Sequence, residues 1–116
     1  MSTRSSGARG EELACAYLQG LGFKLIQKNY RAGRYEVDLI MRQGETLVFV
    51  EVKARTGKGS ILGREAVNRT KQRHILVAAQ MYMQQNHAFD ETVRFDVAEV
   101  DLLNGEVIHI PAAFTA

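Results

Sequence analysis

This chain is short of the groups that would point to several common classes of protein. It has one cysteine and one proline in 116 residues. A lone Cys15 cannot build an internal disulfide framework and fits a reducing compartment. The opening residues Met-Ser-Thr-Arg-Ser-Ser-Gly-Ala-Arg-Gly hold no apolar core of a secretory signal. No apolar run is long enough to span a bilayer, which excludes a membrane partner of that kind. Cys15, His74, His87 and His109 show no zinc-ligand spacing. The glycine-rich stretch Thr56-Gly-Lys-Gly-Ser-Ile-Leu-Gly63 reads as a flexible loop, and it lacks the spacing and the preceding strand of a phosphate-binding P-loop. What remains is a cytoplasmic protein of one domain, residues 1–116, with 46% hydrophobic and 24% charged residues.

Net charge is only +2, but it is unevenly spread. Residues 1–34 carry six Lys/Arg and two acids, residues 35–52 one Arg and four acids, residues 53–74 seven Lys/Arg and one Glu, and residues 75–116 one Arg and six acids. Basic segments flanking an acidic centre favour a polyanion only if a cation occupies that centre. A metal-dependent phosphodiester site has this requirement; uneven surface charge is the plainer alternative.

The densest strand signal is Thr46-Leu-Val-Phe-Val-Glu-Val-Lys-Ala-Arg55. Leu47, Phe49, Glu51 and Lys53 share one face, and Val48, Val50 and Val52 the other, as in a central strand covered on both sides. A carboxylate and an amine then end an otherwise apolar face. Before this strand, a helix is expected over about Ser6 to Gly20. Leu13, Ala14, Ala16, Tyr17, Leu18 and Leu21 form its apolar side, Gly10 falls within that side, Glu11 at its edge and Glu12 opposite in solvent. Gly7 and Gly10 lower helix propensity and suggest a close backbone approach. Strands are expected over Phe23–Tyr30 and Tyr35–Arg42, the second with Tyr35, Val37, Leu39 and Met41 on one face and Glu36, Asp38, Ile40 and Arg42 on the other. A second helix is expected over Arg64–Asn86, with Ala66, Val67, Thr70, His74, Val77, Ala78 and Met81 as its main apolar face and Ile75, Leu76, Ala79, Tyr82 and Met83 widening it. Its C-terminal half is apolar nearly all round, so a homodimer through this helix is one expectation. Strands over Thr92–Leu103 and Glu106–Ile110 follow, joined by a type I′ turn at Asn104-Gly105 and stopped by Pro111.

The hairpin around Gln43-Gly44 brings Asp38 near Glu51. Carboxylates that converge repel unless a divalent cation neutralises them, and oxygen-only ligands suit Mg²⁺ or Mn²⁺. Lys53 beside such an ion could stabilise hydroxide or charge developing on a phosphate. Arg69, Lys71 and Arg73 lie in the N-terminal half of the second helix, and a helix start with basic residues nearby is a natural phosphate neighbour; Arg55, at the end of the Glu51 strand, adds a further basic group.

Asp38, then twelve residues, then Glu51-x-Lys53 resembles the PD-(D/E)xK nuclease superfamily. Val37 stands in place of the proline in its name. An acidic residue on the preceding helix, here Glu11, is similar to the arrangement in archaeal Holliday-junction resolvases. The whole chain resembles the YraN family of small bacterial proteins, through Gly7-x-x-Gly10-Glu11, Asn29-Tyr30-Arg31, Glu36-Val-Asp38-Leu-Ile40, Leu47-Val-Phe-Val-Glu-Val-Lys53-x-Arg55, Gly63, Ala66-Val67, Lys71, Arg94-Phe-Asp96-Val97 and Ala113-Phe114. Tyr35 stands where that family usually has Gly. The resemblance implies an α/β restriction-endonuclease-like fold, a central mixed sheet flanked by helices in the order α-β-β-β-α-β-β. It implies a nuclease acting on duplex, branched or damaged DNA. Asp38 and Glu51 would hold Mg²⁺ or Mn²⁺, Glu11 would complete the shell with Glu36 as a weaker candidate, Lys53 would position water, and Arg55, Arg69, Lys71 and Arg73 would hold phosphates. A nucleic-acid-binding module without turnover and a protein-interaction module are the rival expectations.

Overall fold

A computed structural model describes residues 6–56 and 67–115. The elements run α1 (Ser6–Gly20), β1 (Lys24–Ala32), β2 (Tyr35–Gln43), β3 (Thr46–Arg55), α2 (Arg69–Gln85), β4 (Thr92–Asp101) and β5 (Val107–Phe114). The order α-β-β-β-α-β-β matches the expectation. The five strands form one mixed sheet in sequential order, with β3 and β4 parallel and all other neighbours antiparallel. The glycine-rich loop beyond Thr56, and the expected start of the second helix at Arg64 to Ala66, lie outside the described residues. No described helix is long and apolar enough to cross a membrane.

Strand β3 is central and covered on both sides, as its composition predicts. Its Leu47 and Phe49 pack with Ile75, Ala78, Ala79 and Tyr82 of α2. Its Val48 and Val50 pack on the other face with Ala14, Cys15 and Leu18 of α1. An aromatic row crosses the α2 face: Phe114 stacks on Phe95 and Phe95 on Phe49, while Tyr82 meets both Phe49 and Tyr30 edge-on. Burying such rings is the main source of stability for a sheet of this size.

Several sequence expectations are corrected. Helix α2 starts at Arg69, because the Asn68 side chain caps it by accepting from the Lys71 amide at 2.8 Å. Its buried face is Ile75, Ala78, Ala79 and Tyr82, whereas His74 and Val77 are half-buried and Met81 exposed. In α1 the buried line is Gly10, Ala14, Cys15 and Leu18; Ala16, Tyr17 and Leu21 face solvent and Glu12 is half-buried. Asn104-Gly105 does not form a two-residue turn. Gly105 alone is left-handed, and its amide closes a longer loop onto the Asp101 carbonyl at 2.7 Å. Strand β5 continues through Pro111, which an edge strand tolerates because no neighbour needs its missing N–H.

Beyond Pro111, β5 bulges: Phe95 pairs with Phe114 but Val97 with Ile110. The bulge wraps buried Asp96, which accepts both Arg94 guanidinium bonds at 2.8 Å, one from Ala112 N at 3.0 Å and one from His109 Nε2 at 2.7 Å. The segment Arg94-Phe-Asp96-Val97 therefore joins β4 to β5.

The sheet's faces also change over at one point. Residues two apart in a strand normally share a face. Val37 packs with the α2 core, yet Leu39 and Met41 pack with the α1 core. This breaks the alternation expected for β2, and it does so at Asp38.

Candidate metal and phosphate site

The ladder between β2 and β3 closes from Gln43↔Thr46 up to Leu39↔Val50 and goes no further. One more step would pair Asp38 with Glu51. Instead the Asp38 side chain replaces the backbone: its Oδ2 accepts the Val52 N–H at 2.8 Å. The strands thus fork where the face change occurs, and the fork lies at the C-terminal ends of the parallel pair β3 and β4. Open α/β sheets bind ligands at such ends.

Helix α1 delivers Glu11 to the fork. Gly10 makes this possible, since a Cβ there would lie 2.9 Å from the Cβ of Ala54 on β3. The close approach expected of Gly10 is therefore real, and any side chain would push α1 off the sheet. Arg9 anchors the same turn by donating to the Leu102 carbonyl at 2.8 Å. Glu11 is half-buried; burial and the neighbouring carboxylates Asp38 and Glu36 raise its pKa, against a hydrogen bond from Asn29.

Glu51 is 5% exposed. Burial and the Asp38 carboxylate push its pKa up to about 8, opposed by Lys71 and Lys53. Its Oε1 has no hydrogen-bond partner among the described residues. A buried, unpartnered carboxylate oxygen facing another carboxylate is costly, and a cation would relieve it. Among the described residues no three His, Cys, Asp or Glu side chains converge closely enough to enclose a metal ion. Mg²⁺ commonly takes one or two carboxylates and keeps several waters, so the pair Asp38 and Glu51 meets its needs without a third ligand.

The structure brings Asp38, Glu51, Glu11 and Lys53 to one end of the sheet. Glu36 is nearby but pairs with Arg31 at 3.5 Å at the margin. Lys71 lies inside the site, with Nζ 3.9 Å from Glu51 Oε2. Arg69 and Arg73 stay exposed on the first turns of α2. Arg55 turns instead to the acidic ends of β4, with Glu99 at 3.8 Å and Asp101 at 3.4 Å. It buttresses the parallel pair and is poorly placed to meet a phosphate. Asn29 is a site residue that the sequence does not single out by its chemistry; it stands there only as part of the Asn29-Tyr30-Arg31 motif and as a polar residue near the end of an expected strand.

A family model described as the uncharacterised protein family UPF0102 matches residues 10–100. The chain belongs to that family. The matched span holds Glu11, Asp38, Glu51, Lys53 and Lys71. A UPF0102 protein of Anaeromyxobacter dehalogenans is 42% identical over 110 residues, covering 93% of this chain and 82% of the relative. One from Geobacter sulfurreducens is 41% identical, covering 93% and 87%. Another, from Pseudomonas aeruginosa, is 36% identical, covering 90% and 85%. This UPF0102 chain therefore has relatives of similar length, and the family expected from its sequence is borne out.

Proposed function

We propose that this protein is a cytoplasmic, divalent-cation-dependent nuclease of the restriction-endonuclease-like superfamily, cutting phosphodiester bonds in DNA. The observation that carries the reading is Glu51: a carboxylate almost wholly buried, with an oxygen that has no hydrogen-bond partner among the described residues, set against Asp38 and flanked by two lysines. Asp38 and Glu51 would hold Mg²⁺ or Mn²⁺, with Glu11 contributing directly or through water and Glu36 at the margin. When bound, the ion supplies Lewis-acid stabilisation of phosphate charge and a more acidic water. Lys53, half-buried at the end of β3, offsets negative charge on the reacting phosphate and orients the attacking water. Arg69 and Arg73 hold the flanking phosphates. Branched or damaged DNA is a candidate substrate beside plain duplex.

Cleavage of duplex, single-stranded and four-way-junction DNA with Mg²⁺ or Mn²⁺ tests this. Activity is expected in the wild type and lost in Glu51→Ala and Lys53→Ala; activity that survives both substitutions rejects the assignment. The second reading is a nucleic-acid-binding module of the same fold without turnover, favoured by the lack of a three-ligand cluster among the described residues. It predicts salt-sensitive binding that persists in Asp38→Ala and no cleavage with any ion. The surface proposed for a second subunit runs along α2, where Leu76 and Met83 of the helix and Val93 and Phe95 of β4 line a groove of about 510 Å³ between α2 and the β4–β5 edge. Sedimentation across a concentration series checks that contact.

A further inference from the structure

Three described residues other than glycine have a left-handed backbone: Asn29 at φ 51°, His87 at 53° and Ala112 at 50°. His87 follows the end of α2 and Ala112 sits in the β5 bulge, so both have a local reason. Asn29 lies inside a strand, where no turn calls for positive φ. Such strain persists only where the surroundings impose it, and it gathers at functional sites.

Asn29 falls between the pairs Lys28↔Leu39 and Tyr30↔Val37, and so faces Asp38 across the ladder. On β2 the chain changes faces at Asp38. On β1 it changes faces at Asn29, since Tyr30 packs with Val37 in the α2 core while Lys28 pairs with Leu39 of the α1 core. Both strands therefore rotate together at this one pair. The rotation coincides with the step where the β2–β3 ladder ends and Asp38 turns its carboxylate to the Val52 amide. The Asn29 side-chain amide lies close enough to Glu11, the carboxylate that α1 brings to the same place, to favour its charged form.

We propose that Asn29 is a positioning residue for the carboxylate site: its left-handed backbone swings Asp38 out of the ladder, and its side-chain amide holds Glu11 beside it. The inference rests on the cation-dependent reading above. Asparagine suits both tasks. It tolerates the left-handed region better than other residues with a Cβ, and its amide donates to a carboxylate. Glycine would keep the backbone and lose the amide. Aspartate would add a further negative charge, and alanine would lose the amide and strain the turn.

The test uses the full chain and two readouts, thermal melting without metal and Mn²⁺ binding by calorimetry. Asn29→Gly is expected to melt at or above the wild type, and Asn29→Ala a few degrees below it. Asn29→Gly is expected to weaken Mn²⁺ binding about tenfold, as is usual when a residue that orients a ligand is removed. In an E11Q background the same substitution is expected to add little, because both changes break one contact. The proposal is overturned if Asn29→Gly binds Mn²⁺ as the wild type does, if its loss adds in full to that of E11Q, or if it melts as low as Asn29→Ala. A wild type that takes up no Mn²⁺ overturns the cation-dependent reading itself, and this proposal with it.

Discussion

Lys71 Nζ stands 3.9 Å from Glu51 Oε2, so a residue expected on a phosphate-binding helix face faces a buried carboxylate instead. The contact exists because Asn68 caps α2 at a point that puts Lys71 in its first turn, above the end of β3. Lys71 and Lys53 are the two cations that oppose the rise in the Glu51 pKa. Lys71→Met should therefore move the rising limb of the cleavage pH profile to higher pH and reduce the rate at pH 7 by about tenfold. Lys71→Arg should restore much of both. A phosphate anchor alone would lower affinity for DNA and leave the limb in place, so pH–rate profiles of the two variants separate the roles.

Glu51 also sets a pH dependence of stability. Its pKa rises from an ordinary 4.5 to about 8 on folding, chiefly through burial. Between those values the native protein keeps a proton that the unfolded chain has released. Stability should then be full below about pH 4.5 and fall as pH rises toward 8, for this group alone. Glu51→Gln should abolish cleavage, flatten that slope and raise stability at pH 8 by on the order of 2–3 kcal/mol. Urea titrations at several pH values without metal give the slope. Mg²⁺ should stabilise the wild type more at pH 8 than at pH 6, because its binding must displace the proton.

The strand β3 was readable to its ends, because alternation and β-branched residues need no distant information. The nearness of Asp38 to Glu51 was readable too, since a short hairpin fixes which residues face each other. The fork between them was not. It depends on Asn29, a residue on a third strand whose unusual backbone no local pattern announces. The place of Lys71 was hidden for a related reason: a helix register shifted by Asn68 decides which basic residue looks inward. Pro111 misled in the opposite sense. It reads as a strand end, yet it sits on an edge where the missing N–H costs nothing, and the bulge after it serves Asp96 on the neighbouring strand.

Gly10 ties the helix to the site, so filling it should damage both. A methyl group at this position would meet the Cβ of Ala54 at 2.9 Å, and neither atom can rotate away. Gly10→Ala gains helix propensity of about 1 kcal/mol, but overpacking of this kind costs about 1–3 kcal/mol. The expected outcome is a lower melting temperature together with weaker Mn²⁺ binding, because Glu11 moves with α1. Gly10→Ala combined with Ala54→Gly removes the clash and should recover most of the melting temperature.

Asp96 makes the corresponding prediction for the far edge of the sheet. Burial alone would raise its pKa, but the bonds from His109, Arg94 and the Ala112 amide hold it below its ordinary 3.8. The group therefore contributes stability above that value, and the contribution is lost as pH falls through its folded pKa. Asp96→Asn leaves the Arg94 guanidinium beside a neutral amide and removes an acceptor for His109. Breaking a buried charged pair in this way costs about 3–5 kcal/mol. The loss should appear in denaturant melts at neutral pH and shrink in acid, where the wild type loses the same interaction. Hydrogen exchange should place the damage in β5, whose bulge at Ala112 closes onto Asp96 at 3.0 Å. The fork at Asp38 should keep its protection, because it is built on β2 and β3 and does not use that bulge.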